Sequence, residues 1–421
     1  MISRRSLVSA LNARRVADWV VIERGQEVAT IAEDRSLHRT EQRTRWTIVV
    51  HHDVPRGRGT ARLDLATRQG EARDVVEQAI SLASAAVGPP WSSTPAAAPA
   101  KVTLLDDKLA KVNLATAAAE LLAATKRPTG ANVQLAVELL RERVNVQSES
   151  GFHTSWIATN LTAEALVAVG GHSLELTRDA RRRVDLEADL TAALASASSD
   201  LTLLASAGKP EPGRYSVILR ADAHLHGGGL GMWRVFAEHA AAETERQGLA
   251  RYRQGTAIAP GADQIAEPLT ITSDGALDFG AHSAPVDDEG EAVRRFALIE
   301  RGVASGLGLS AREAARRRVE PNGGVRNLVI ARGTWTDATP AARTIEVRRL
   351  RSLSIDPYTG DASLELGLSI DRDRNRPFTG GTLRLDLVSA LARARRSSDA
   401  LRRGPYLGPV SVLIEDAELL V

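Results

Sequence analysis

The stretch SAGKPEPGRYSVILR, Ser206 to Arg220, divides the chain into two parts. Its first half is polar and carries glycine and proline, which is typical of a boundary between domains. Its second half, from Tyr215, is rich in apolar and β-branched residues and predicts a strand. A chain of 421 residues is longer than a single hydrophobic core usually supports. We therefore predict an N-terminal domain over residues 1–205, a linker over 206–214 and a C-terminal domain over 215–421.

The part before this boundary combines strands with helices. Two segments, from Gly70 and from Leu186, have helical periodicity, and the segment Gly88–Lys101 is rich in Pro, Ala and Ser and predicts an exposed loop. Four earlier segments have the alternation of antiparallel strands: ADWVVIE from Ala17, EVATIAE from Glu27, RWTIVVHHD from Arg45 and TARLDL from Thr60.

The part after the boundary is richer in strands. Apolar runs alternate with Gly, Asp and Pro turns from Glu267 to the end of the sequence, and few stretches have helical periodicity. The sequence therefore predicts an α+β protein: an N-terminal α/β domain with an antiparallel sheet and helices, and a C-terminal antiparallel β-rich domain with a few helices.

Composition excludes several classes of function. The 54 Lys and Arg residues nearly balance the 52 Asp and Glu residues, so the chain has no overall field that would favour nucleic acid or an anionic membrane. The absence of cysteine excludes disulfides and thiolate metal sites. No run of about 18 apolar residues is present, which argues against a membrane span. We expect a soluble cytoplasmic protein.

The stretch VFAEHAAAETERQG, Val235 to Gly248, raises the question of a metal site. His239 and Glu243 are four residues apart and would share one face of a continuous helix, as two zinc ligands do. His224 and His226 form an H-x-H pair on or just after the preceding strand, so a site of three or four ligands is conceivable. Histidines in such settings are more often surface or hydrogen-bonded residues, and both interpretations stay open.

Beyond this stretch, the order of motifs resembles the TldD/PmbA family. The resemblance rests on the succession and spacing of several segments, and it is stronger after Tyr215 than before it. These segments are QSESG (Gln147–Gly151), GLARYRQG (Gly248–Gly255), VDDEG (Val286–Gly290), LIERGVAS from Leu298, PNGGVRNLVIARG from Pro321 and YTGD (Tyr358–Asp361).

The resemblance implies a function for the helix after the boundary. In the family, TldD-like subunits carry H-E-x-x-x-H and a late cysteine as a zinc site, whereas TldE/PmbA-like subunits lack both. Counted back from Gly248, the motif would fall on Trp233, Arg234 and Glu238 in this chain. The resemblance thus implies that this chain is a non-catalytic subunit without a metal, and that a TldD-like partner subunit binds the zinc.

The resemblance also implies a substrate and an assembly. We expect a heterodimeric metalloprotease, or a self-dimer, that degrades or processes unfolded peptides in a cavity. Asp287, Asp288, Glu289 and Arg326 are the candidates for cavity residues on this chain. Two alternatives are a diverged metal-dependent peptidase that uses His224, His226, His239 and Glu243, and a peptide-binding scaffold without a protease partner.

Overall fold

The computed structural model describes residues 2–33, 37–66, 70–92, 97–336 and 343–421, and the fold is α+β. The predicted loop Gly88–Lys101 is described only in part, because its residues 93–96 lie outside these ranges. In the N-terminal part the elements are α1 (Arg4–Ala13), β1 (Asp18–Ala32), β2 (His38–Val54), β3 (Gly57–Leu65), α2 (Ala72–Ala85), β4 (Val87–Gly88), a 3₁₀ turn (Asp107–Leu109), α3 (Leu114–Ala124), β5 (Asn132–Ser148), β6 (His153–Val169), β7 (His172–Ala180) and α4 (Arg183–Leu204).

The seven strands form one antiparallel sheet in the order β4-β3-β2-β1-β5-β6-β7. Since side chains alternate along a strand, β1 presents Trp19 and Val21 to one face and Val20 and Ile22 to the other. The first face is covered by α1 and α2 at one end of the sheet and by α3 and α4 at the other. The second face packs on Val286, a residue from the other part of the chain.

Strand β1 corrects one prediction. ADWVVIE and EVATIAE were expected to be separate strands, but they are one continuous strand through Gly25. This glycine is paired on both sides, with Thr44 of β2 and Arg143 of β5. Pairing with two long neighbours holds the backbone extended where the sequence alone favours a break.

The C-terminal part has two further sheets. The elements of this part are β8 (Gly213–Arg220), α5 (Ala221–His224), a 3₁₀ turn (Gly231–Trp233), α6 (Arg234–His239), α7 (Ala242–Arg246), β9 (Ile271–Asp274), β10 (Arg295–Glu300), β11 (Val303–Ala304), α8 (Ala311–Arg317), β12 (Asn327–Ile330), β13 (Thr344–Ile355), β14 (Asp361–Asp371), β15 (Arg376–Phe378), β16 (Thr382–Asp386), α9 (Leu387–Arg393), β17 (Arg395–Arg396), β18 (Ala400–Arg403), β19 (Tyr406–Pro409) and β20 (Ser411–Leu420). One sheet has the order β11-β10-β9-β12-β19-β18, and in the other the strands β13, β8, β20, β16 and β14 close into a ring through the pairing of β13 with β14.

The stretch Val235–Gly248 is not one helix. It forms α6 and α7, which are separated at Ala241, where the backbone is extended. Ala241 pairs with Gly308, whose amide donates to the Ala240 carbonyl and whose carbonyl accepts from Ala242. This contact with a distant segment interrupts a stretch that is otherwise rich in helix-forming residues.

Within the described ranges, no helix combines the length and the apolar character that crossing a membrane requires. Strand β8 begins at Gly213, inside the predicted linker. The division into domains at residues 206–214 stays a prediction.

Candidate functional site

Trp233, at the first position of the inferred metal motif, is a core residue. It is fully buried, and its ring packs against Phe236 and Tyr406. Its indole Nε1 donates a hydrogen bond of 3.2 Å to Nδ1 of His224. An indole nitrogen is a donor only, so this side chain cannot be a metal ligand.

His224 is committed to the same core. Because Nδ1 accepts from Trp233, the proton is on Nε2, which donates to the Val410 carbonyl at 3.2 Å. Burial lowers the pKa of His224 to about 4, so the ring is neutral near pH 7. Binding a metal would require breaking one of these two hydrogen bonds.

The other motif positions and the other candidate ligands face different surroundings. The side chains of Arg234 and Glu238 are exposed and form no hydrogen bond or ion pair with any residue that the structure describes. His239 is buried and its Nδ1 accepts from the backbone amide of Arg251, whereas Glu243 is exposed. The break between α6 and α7 therefore separates a pair that was expected to share one helix face.

The expectation for H-x-H is also corrected. His224 ends α5 and His226 is half-buried in the following turn, so the two are not on one side of a strand. The structure does not bring His224, His226, His239 and Glu243 together: in residues 2–33, 37–66, 70–92, 97–336 and 343–421, no three His, Asp or Glu side chains are grouped so that they could hold a metal ion.

The acidic loop that follows β9, Val286–Glu291, is built around Asp287. One carboxylate oxygen of Asp287 accepts from the amides of Glu289 at 2.8 Å and Glu291 at 2.9 Å. Burial raises the pKa of Asp287, although these two amides act to lower it. The tight turn points the next acidic side chains in different directions.

Asp288 attaches the loop to the N-terminal sheet. Its carboxylate accepts from Nη2 of Arg24 on β1 at 2.8 Å and from Nη1 of Arg62 on β3 at 2.5 Å. Burial acts to raise the pKa of Asp288, but the two arginines outweigh it and the pKa is lowered. Asp288 is therefore ionised and belongs to an ion triad.

Glu289 and Glu291 are in a different electrostatic state. Burial, and next the charge of Asp287, raise the pKa of each to about 7. Glu289 accepts from the amide of Ala311, the first residue of α8, at 3.2 Å. Glu291 is 6% exposed, and its carboxylate forms no hydrogen bond or ion pair with any described residue.

Two cavities flank this loop. The larger, of about 430 Å³, lies between the loop and the ends of strands β1, β2 and β5, and its lining includes Asp18, His51, Ser148, Ser150, Glu289 and Glu291. The smaller, of about 260 Å³, includes Arg24, His282, Asp287, Asp288 and Arg326 in its lining.

The four predicted cavity residues thus all line the two cavities between the acidic loop and the N-terminal sheet, a region that we call the seam. Asp287, Asp288 and Arg326 share the smaller cavity and Glu289 faces the larger one. Glu291 was missed although it directly follows the quoted VDDEG. The segments Gln147–Gly151 and Val286–Gly290, both part of the resemblance noted in the sequence, meet at the larger cavity.

Comparison with known proteins gives one family model and several structures. Residues 212–419 match the model described as PmbA/TldA metallopeptidase C-terminal domain. No curated protein matches the chain.

Three solved structures share the fold over almost the full length of both chains. A protein described as a modulator of DNA gyrase from Bacteroides thetaiotaomicron has a TM-score of 0.77 at 14% identity and covers 100% of this chain and 99% of its own. TldE from Thermococcus kodakarensis has a TM-score of 0.76 at 15% identity, with 99% and 100% covered. A protein described as a modulator of a DNA gyrase from Thermotoga maritima has a TM-score of 0.75 at 15% identity, with 99% of each chain covered.

Proposed function

Because the chain belongs to the TldD/PmbA family, we propose that it is the TldE/PmbA-like, non-catalytic subunit of a two-subunit zinc metallopeptidase. The TldD-like partner holds the zinc and activates water. This chain lines the cavity in which an unfolded peptide is held. The cytoplasm is the compartment proposed for the pair.

The observation that carries the proposal is the environment of Trp233. A zinc ligand must offer a nitrogen, oxygen or sulfur lone pair, and the residue at this position offers none. Its neighbour in the motif, Arg234, is a permanent cation that repels a divalent ion. The residues present do not fit a zinc ion, so no step of the reaction is assigned to a metal in this chain.

The seam at the acidic loop supports a role in holding a peptide. It offers two cavities and arginines that are held by ion pairs. It also offers one short segment of carboxylates whose pKa values are shifted in opposite directions. Small numbers of polar groups placed in a concave site are the usual means of orienting a ligand. Without a partner, the same seam would suit the scaffold function. Activity gained with a TldD-like partner distinguishes the subunit function from the scaffold function.

The experiment combines metal content with activity. We expect the purified chain to hold well under one zinc per chain and to cleave no peptide alone. Mixed with a partner that carries H-E-x-x-x-H, it should give activity on unfolded peptides that disappears when the partner's glutamate is changed. His239→Ala and Glu243→Ala in this chain should leave that activity nearly intact.

The opposite result identifies a relocated metal site. One zinc per isolated chain, lost together with intrinsic activity in His239→Ala, would overturn the proposal. A chain that binds peptides but never gains activity with such a partner would favour the scaffold function.

Assembly gives an independent measurement. A permanent complex buries about 2,000 Å² or more in total, so the chain of 45.0 kDa should elute as a dimer, with the partner or with itself. A strictly monomeric chain that ignores a co-expressed TldD-like subunit would contradict the subunit role.

A further inference from the structure

The larger cavity beside the acidic loop contains a carboxylate without a partner. Glu291 is 6% exposed and lines the cavity, and its carboxylate forms no hydrogen bond or ion pair with any residue in the described ranges. A buried carboxylate is costly unless a donor or a cation compensates it. The small exposed remainder of Glu291 opens on a space of about 430 Å³, which is large enough for the end of a side chain.

The walls of this cavity favour positive charge. Asp18, Glu149 and Glu289 line it together with Glu291. The cation among its lining residues, Arg58, is held at 2.9 Å by Asp18 and at 2.7 Å by Asp53. When Glu289 and Glu291 are ionised, the cavity therefore has an excess of negative charge.

The histidine in the wall does not change this balance. Burial lowers the pKa of His51, so the ring is neutral near pH 7. Its Nδ1 is within 3.0 Å of the Thr60 hydroxyl, and its ring packs edge-on against Trp91. His51 adds no second positive charge to the guanidinium of Arg58.

The donor set suits an organic cation better than a metal ion. No three carboxylates or histidines in the described part of the chain are grouped for metal binding. The cavity wall instead carries hydroxyls beside its carboxylates. These are the hydroxyls of Ser148 and Ser150, whose Oγ atoms are 2.9 Å apart. Hydroxyl and carboxylate oxygens spread over a wide cavity can accept the several N–H groups of an ammonium or a guanidinium.

We propose that this cavity binds a positively charged group of a peptide, either a lysine or arginine side chain or the amino terminus. The inference rests on the proposed function only in taking a peptide as the ligand. The cation would supply Glu291 with a partner and hold Glu289 ionised beside it. The chain would then select cationic segments of an unfolded peptide.

The proposal requires a dependence on pH. Glu289 and Glu291, each with a pKa of about 7, are partly protonated at neutral pH. Because a cation binds the ionised pair, binding should strengthen from pH 6 to pH 8 and release protons. The other charged or titratable groups that act on the pair or line the cavity are Asp18, His51 and Arg58 from the sheet, Glu149 from the turn after β5, Asp287 and Asp288 from the same loop, and Arg294.

The test is direct binding of synthetic peptides to the full chain, followed by fluorescence anisotropy. Three unstructured peptides of one sequence are compared: acetylated with one lysine, acetylated with norleucine in its place, and norleucine with a free amino terminus. We expect at least one charged peptide to bind about tenfold more tightly than the neutral one. In Glu291→Gln this preference should disappear, and Glu415→Gln, at an exposed position on β20, should keep it.

Each outcome decides the proposal. Glutamine has the shape of glutamate without its charge, so Glu291→Gln should stay folded, which circular dichroism verifies. Equal binding of charged and neutral peptides, or a preference that survives in Glu291→Gln, would overturn the site. Binding of spermidine without any preference among the peptides would overturn the peptide as ligand. Activity with a TldD-like partner is measured separately, so a failure of the proposed function is distinguishable from a failure of this site.

Discussion

At the scale of single residues, the direction in which each side chain faces decides whether the positions of the inferred metal motif could hold a metal ion. Trp233 lies in the core between His224 and Tyr406, whereas Arg234 and Glu238 are exposed. The two histidines of the motif, at the positions of Trp233 and Glu238, would both have to reach within about 2 Å of one metal ion. Side chains that face the core and the solvent do not converge.

This geometry predicts the result of restoring the motif. The triple variant Trp233→His, Arg234→Glu, Glu238→His should bind no stoichiometric zinc, as measured by elemental analysis. It should lose about 3–5 kcal/mol of unfolding free energy, because a large buried ring is removed. The double variant with Trp233 intact changes only exposed positions and should stay within about 0.5 kcal/mol of the parent. One zinc per folded triple variant would show that the stretch can form a site.

The acidic loop predicts an unusual dependence of stability on pH. Glu291 has an ordinary pKa of 4.5, which rises to about 7 in the folded chain. The folded state therefore holds a proton that the unfolded state releases, and the contribution of this group is full below pH 4.5 and is lost as pH rises through 7. Since one pKa unit corresponds to ~1.4 kcal/mol, the loss is on the order of 2 kcal/mol.

Urea unfolding at pH 5 and pH 8 measures this loss. The parent chain should lose more stability than Glu291→Gln between the two values, by that amount, whereas Glu415→Gln should follow the parent. An identical pH response of the parent and Glu291→Gln would show that the carboxyl titrates normally.

At the scale of secondary-structure elements, the packing of α2 on β3 depends on a glycine. A Cβ on Gly59 would overlap the carbonyl oxygen of Ala83 in α2, so the helix backbone lies directly on the strand. A Cβ on Gly25, in the middle of β1, would be 3.9 Å from the Arg143 carbonyl oxygen, an ordinary contact. The two glycines thus differ only in the room beside them, since neither has a positive φ.

This difference predicts opposite results for one substitution. Gly59→Ala should cost more than about 2 kcal/mol, because α2 must move away from the sheet. Gly25→Ala should change stability by less than about 1 kcal/mol, in either direction. Thermal unfolding of both variants is the measurement, and a Gly59→Ala chain as stable as Gly25→Ala would refute the close approach.

The same scale shows which elements can be predicted from sequence. Helices α2 and α4 and strands β2 and β3 have local periodicity, and the structure confirms them. The break at Ala241 is invisible in its own neighbourhood, because it comes from pairing with Gly308. Continuity through Gly25 likewise depends on strands that follow it in the chain. Local patterns predict elements, and distant pairing decides where they end.

At the scale of the whole molecule, the candidate site is formed by segments far apart in sequence. The loop residues Asp287 and Asp288 could be chosen because they stand in a recognisable acidic turn. Arg24, which binds Asp288, is 264 positions away from it, and no pattern in either segment indicates the other. Glu291 acquires its importance only from burial against the N-terminal sheet, which the sequence does not reveal.

A second group of charges joins the two parts of the chain at α5. Asp222 accepts from Arg178 of the N-terminal part at 2.7 Å, and it pairs with Arg349 at 2.7 Å and Arg403 at 2.5 Å. Burial acts to raise the pKa of Asp222, but the three arginines outweigh it and the pKa is lowered. The arginines also reach two aspartates of α4: Arg349 contacts Asp200, and Arg403 contacts Asp189.

This arrangement places one carboxylate, that of Asp222, between three arginines where the two parts of the chain meet. Asp222→Asn keeps the side-chain shape but leaves three largely buried guanidinium groups without their shared anion, which should cost about 3–5 kcal/mol in urea unfolding. Limited proteolysis should also become faster near Ser206–Gly213, because the joint no longer holds the linker in place. The matched control is Asp416→Asn, whose ion pair with Arg214 is solvent-exposed and should contribute little. If Asp222→Asn were as stable and as resistant to protease as the control, the two parts would be held by apolar packing at Val286 and the neighbouring strands, and the charges would only tune their fit.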